Sequence, residues 1–155
     1  MRLQTLLLAL GVSLLSACQA GDAANGEDGA SPAAVPGNTD DTAPFAEIAE
    51  SEVLQFVGTE PFWGGEVGGT TLTYSTPENQ DGVQIEVARF AGRGGISYSG
   101  MLDGTSFEMT ITSLTCSDGM SDRTYPFTVS LEIGDDKRNG CAWSEQHPFD
   151  GPENP

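Results

Sequence analysis

"TYPFTVSLEIG", residues 124–134, decides the fold class. Read two by two, it splits into an apolar row, Tyr125, Phe127, Val129, Leu131 and Ile133, and a polar row, Thr128, Ser130 and Glu132. A period of two belongs to a strand with one face buried, and β-branched and aromatic residues favour that state. The same alternation recurs upstream. Phe107, Met109 and Ile111 alternate with Glu108, Thr110 and Thr112, and Val83, Ile85 and Val87 form a third row. Ile96, Tyr98 and Leu102 group together, as do Leu72 and Tyr74. Turn signals separate these runs at "VGGT", "ENQDG", "AGRGG", "LDG" and "GDDKRNG". The expectation is an all-β domain over residues 52–143, a small antiparallel barrel or sandwich.

The flanks read differently. Arg2 and the apolar run "LLLALGVSLL" have the form of an export signal, and the run is about half the length a membrane span needs. Leu15-Ser16-Ala17-Cys18 resembles the lipobox of bacterial lipoproteins. In that group the peptide is cut before the cysteine and the thiol carries a diacylglycerol. Residues 1–17 are therefore expected to be a signal peptide and Cys18 the lipidation site, with the lipid holding the chain to the membrane. Gln19, where Asp would favour the inner membrane in the lipoproteins it resembles, points to the outer membrane facing the periplasm. Residues 18–51 are rich in Gly, Ala, Asp, Pro and Ser and are expected to form a disordered acidic linker, with a short amphipathic helix as an option near "FAEIAESEV". A flexible coil of about 33 residues would average roughly 30 Å end to end. The tail, 144–155, lacks periodicity and is expected to be disordered.

The chain of 155 residues carries 23 acidic and six basic residues, a formal charge of −17. That balance excludes a nucleic-acid face and admits a basic protein or a small ligand as partner. Two cysteines remain beside Cys18. Cys116 and Cys141, in an exported chain, read as a disulfide worth about 3–4 kcal/mol in the chain-entropy model.

"GTEPFWGGEV", "CSDGMSDRTYPF" and "NGCAW" together resemble a family of bacterial envelope proteins, many of them lipoproteins, whose molecular activity is unassigned. The resemblance implies a compartment and no reaction. Of Phe62 and Trp63, adjacent on a strand, one must enter the core while the other faces out. Trp63 is the candidate contact, either as a plug of the barrel end or as a ligand-facing ring. Asp118, Asp122, Arg123 and Tyr125 are the candidates in the second stretch. That loop is either a clasp held by turn hydrogen bonds and an Arg–Asp pair, or a recognition loop presenting the planar fork of Arg123. Both stretches are expected to meet at one end of the barrel. The Asp spacing lacks the EF-hand pattern, and no metal or cofactor is expected.

Catalytic signals are weak. His147, the only histidine, falls in the tail, and neither Gly-x-Ser-x-Gly nor Ser-x-x-Lys occurs. The expected function is thus a non-catalytic binding module on a lipid anchor. A lysozyme inhibitor is the alternative, since small disulfide-tied barrel lipoproteins of that kind exist and "GGISYSGML" is loosely similar to their strand-loop. A cell-wall hydrolase is the second alternative.

Overall fold

The computed structural model describes residues 43–152. The signal peptide, Cys18 and most of the expected linker lie outside the described residues. Eight antiparallel strands close into one barrel in sequence order: β1 (Leu54–Thr59), β2 (Phe62–Gly68), β3 (Thr71–Thr76), β4 (Asn79–Ala91), β5 (Gly95–Leu102), β6 (Thr105–Thr112), β7 (Phe127–Ile133) and β8 (Asp136–Ser144). β8 pairs back onto β1, with Leu54 opposite Ser144 and Val57 opposite Cys141, so the barrel leaves no sheet edge. There is no helix among the described residues.

The period-two rows of the sequence supply the inward rows of the barrel, with the exception of Tyr125, which precedes β7 and packs outside the core. Phe127, Val129 and Leu131 from β7 meet Phe107, Met109 and Ile111 from β6, and all six are buried. Eight strands give an interior just wide enough for side chains to fill. Here Phe56, Trp63, Tyr74 and Phe107 cross it in a chain of ring contacts, with centroids 5.8, 6.3 and 5.9 Å apart. The interior is a packed core.

Alternate hairpins turn at opposite ends. The β1–β2, β3–β4, β5–β6 and β7–β8 turns lie at one end, each two residues long. Asp103-Gly104 has φ of 50° and 82°, the positive pair that a type I′ turn needs, which explains "LDG". Two turn expectations shift. In "ENQDG" the chain has already turned at Pro77-Glu78. Residues 79–82 belong to β4, and Gly82, at φ 75°, follows a register irregularity between Tyr74 and Thr76. In "GDDKRNG" only Gly134-Asp135 turns. The rest is β8, where Lys137 pairs across to Glu132 at 2.7 Å.

The other end is closed by segments expected to be disordered. Residues 43–52 form no helix and pack into the barrel mouth. Ile48 is buried, the Phe45 amide donates to the Gly92 carbonyl at 2.6 Å, and Arg89 Nη2 donates to the Ile48 carbonyl at 2.9 Å. The tail is ordered through residue 152 as well. Asp150 exchanges two 2.8 Å backbone hydrogen bonds with Thr124, and Phe149 packs on Tyr125 and Trp143. Phe45, Ile48 and Phe149 supply the apolar area that offsets the ordering of these polar segments.

Candidate functional site

The β6–β7 connection, residues 113–126, leaves the plugged end and folds back along the outer face of β8 and β1. Ala142 points into the core, so its neighbour Cys141 points out, and there it is bonded to Cys116, with Cα atoms 5.6 Å apart. Beside the disulfide, Cys116 and Tyr125 exchange backbone hydrogen bonds of 2.9 and 2.8 Å. Tyr125, Trp143 and Phe149 form a second, smaller apolar cluster outside the barrel, with centroids 5.3 to 5.8 Å apart.

Asp118 organises the strap. Its Oδ1 accepts from the amides of Met120 (3.0 Å) and Ser121 (2.8 Å), and its Oδ2 from Ser121 Oγ (2.8 Å) and Tyr125 Oη (3.0 Å). Gly119 takes the left-handed φ of 71° that this tight wrap requires. Burial pushes the Asp118 carboxyl up. The four donors outweigh it and bring it from an ordinary 3.8 down to about 2. Its carbonyl accepts from Thr59 Oγ1 at 3.3 Å, which joins the strap to the β1–β2 turn.

The sequence expectation that "GTEPFW" and "CSDGMSDRTYP" approach one another agrees with this geometry. Both line one open cleft of about 340 Å³ with Thr59, Phe62 and Trp63 on one side and Asp118, Ser121 and Arg123 on the other. The individual roles differ from expectation. Trp63 does not face out: it pairs with Gly58 in line with Leu54 and Phe56, points inward and is 4% exposed. It is the plug of the two options, and Phe62 is the outward ring, at 53%. Tyr125 is buried, with its hydroxyl committed to Asp118. Arg123 places its guanidinium 4.4 Å over the Phe149 ring and donates from Nε to the Pro152 carbonyl at 2.8 Å, so its contacts include the tail. Asp122 is exposed. Met120, 67% exposed on the cleft rim, was not singled out by the sequence, where a lone Met between Gly and Ser carries no periodicity.

Asp118 also makes the domain acid-sensitive. Its folded pKa lies below the unfolded value, so ionisation contributes stability above pH of about 4 that is lost as pH falls through about 2. Partial exposure scales the contribution to about 1–2 kcal/mol. Asp118→Asn should therefore cost stability at pH 6, and the gap to the parent protein should close between pH 4 and 2 in denaturant titrations. A gap that stays constant over that range would remove Asp118 as the organiser.

At the plugged end a second polar group is built from residues that the sequence dispersed. The buried Glu52 Oε1 accepts from Ser144 Oγ in a short hydrogen bond and lies 2.8 Å from His147 Nδ1, and Oε2 accepts from the Ala49 amide at 3.2 Å. Burial pushes this carboxyl up, and the bonds from Ser144, His147 and Ala49 more than reverse it, leaving it below the ordinary value. Serine, histidine and glutamate together invite comparison with a hydrolytic triad. There, however, the hydroxyl bonds the imidazole nitrogen that the carboxylate does not hold. Here Ser144 Oγ donates to the carboxylate itself and accepts the His147 amide at 2.9 Å, and Ser144 is buried. This arrangement fastens the tail and the plug to the barrel and does not activate the hydroxyl.

Fold and site define a small up-and-down β-barrel with a packed interior and a disulfide-tied strap on its outer wall. Compared with protein-family models, curated proteins and solved structures, the chain matches none.

Proposed function

We propose that the chain is a lipid-anchored envelope protein whose barrel is a non-catalytic binding module, engaging its partner at the cleft between the strap and the β1–β2 turn. One observation carries this reading. The barrel interior is filled by side chains, whereas the two stretches that depart from strand alternation converge on an open surface cleft rimmed by exposed Phe62 and Met120. Exposed apolar groups beside a rigid concavity are what a docking surface needs. The formal charge of −17 favours a basic protein as partner. The lipobox-like stretch ending in Cys18 and the three motifs resembling envelope proteins support the anchor and the compartment. The same charge favours, as a second reading, inhibition of a basic lysozyme.

Turbidity of a peptidoglycan suspension tests the function. The protein alone should leave it unchanged, and lysis by the protein alone would replace the binding module with a hydrolase. Protection against added lysozyme would select the second reading. Acyl labelling of the exported protein should be abolished by Cys18→Ser, and labelling that persists would remove the anchor.

A further inference from the structure

The four hairpin turns at the end of the barrel away from residues 43–52 share a property that turn chemistry explains at only two of them. Each has two residues, and each carries one exposed carboxylate: Glu60, Glu78, Asp103 and Asp135. Asp beside Gly is ordinary turn chemistry at Asp103-Gly104 and Gly134-Asp135. Glu60-Pro61 and Pro77-Glu78 place glutamates where no φ or capping requirement calls for them. These two glutamates face a cleft of about 610 Å³ whose walls are Pro61, Phe62 and Pro77. At the plugged end, the Gly69-Thr70 turn and residues 92–94 carry no acid, and the latter contain Arg93. The plug at that end carries exposed Glu47 and Glu50, so it is the cleft, and not an excess of acid at one end, that singles out Glu60 and Glu78.

We propose that this end of the barrel docks an arginine-rich segment of a basic protein, with the guanidinium of one arginine over Phe62 and its stem along Pro61 and Pro77, between Glu60 and Glu78. The proposal rests on the reading of the domain as a binding module and names the chemistry of the partner. Arginine fits both halves of the cleft, because its planar fork bonds carboxylates and its face stacks on an aromatic ring. An anionic ligand is opposed by both glutamates. The one cation in the cleft, Arg138, is committed: Nε and Nη2 hold Asp136 Oδ2 at 2.8 and 2.5 Å, and Nη1 donates to Tyr74 Oη at 2.6 Å. Phe62 lines this cleft as well as the one beside the strap, so a segment seated here is continuous with the surface under Met120.

Fluorescence anisotropy of a labelled hexa-arginine peptide against the purified full chain at low salt tests this. Glu60→Gln/Glu78→Gln should weaken binding at least tenfold, and Phe62→Ser, which changes no charge, at least threefold. Glu86→Gln/Glu108→Gln removes the same charge from exposed positions on the barrel wall and should change affinity less than twofold. All these side chains are exposed, so the melting temperature should stay close to that of the parent protein, which guards against loss by unfolding. No binding, equal weakening by the two glutamate pairs, or indifference to Phe62→Ser overturns the proposal. Any of these outcomes is separate from lysis of peptidoglycan, which would overturn the binding module itself.

Discussion

Glu52→Ala should destabilise the barrel by about 3–5 kcal/mol, the range for removing one partner from a buried charged network. The carboxylate gathers donors from three parts of the chain: Ser144 at the end of β8, His147 in the tail and the Ala49 amide in the plug. Alanine would leave the Ser144 hydroxyl and the His147 ring nitrogen without their acceptor, and would free the plug from the strand it is tied to. Glu52→Gln separates charge from connectivity. Its carbonyl can still accept from Ser144 and His147, so it should lose about 1–2 kcal/mol. The sign with pH follows from the lowered folded pKa of Glu52. Its ionised form contributes its full stability above the unfolded value, and that contribution is lost as pH falls through the lower folded value, so the gap between parent and Glu52→Ala should narrow on acidification. Urea midpoints at pH 7 and pH 3 would measure both effects. A parent-like midpoint for Glu52→Ala at pH 7 would mean that the plug and tail are not held by this carboxylate.

The barrel was legible in the sequence because its information is local. Each inward row is a period-two pattern within one strand, and each turn carries its own Gly, Asp or Pro. Closure into a barrel was left open, since the pairing of β8 with β1 joins residues about ninety positions apart and no local pattern encodes it. The packing of the plug and tail is illegible for the same reason. Glu52, Ser144 and His147 are polar residues in polar segments, and only their mutual hydrogen bonds make them a buried unit. The pairing of Cys116 with Cys141 was readable from cysteine arithmetic, whereas the outward placement of that disulfide depends on Ala142 taking the core side. At the strap, the motif "CSDGMSDRTYP" stood out as irregular. It did not show that Asp118 takes four donors, Tyr125 among them, and leaves Arg123 to the tail. Alternation demands that Phe62 and Trp63 face opposite ways without saying which goes in. The register settles it: Trp63 lies opposite Gly58, where the absent side chain makes room for the ring.

That pairing yields the other large effect, at two glycines that look alike and should behave differently. Trp63 spreads across the inner side of Gly58 on β1 and Gly140 on β8. A Cβ at Gly58 would lie 2.1 Å from Trp63 Nε1, 2.2 Å from Cε2 and 2.7 Å from Cζ2, so its three nearest neighbours all belong to the indole. A Cβ at Gly140 would lie 2.9 Å from Trp63 Cζ2 and 2.2 Å from the Val57 carbonyl oxygen, which is backbone and cannot be trimmed away. Trp63→Ala alone should cost about 3–5 kcal/mol, the usual loss for a large aromatic taken out of a core. Gly58→Ala alone should cost about 3 kcal/mol or more, because the ring must leave its place in the aromatic chain. In the double variant the new methyl occupies space the indole has vacated, so the total should stay near that of Trp63→Ala, a coupling of about 2 kcal/mol or more between the sites. Gly140→Ala should show no such rescue, since removing the indole leaves the Val57 carbonyl where it was. The indole N–H finds no acceptor among the described residues, so Trp63 is held by shape against these glycines and not by a hydrogen bond. Chemical denaturation of the single variants and of both doubles would decide the matter. Additive losses at Gly58 and Trp63 would show that the indole does not lie across Gly58, and rescue of Gly140→Ala by Trp63→Ala would show that the conflict at Gly140 is with the indole and not with the Val57 carbonyl.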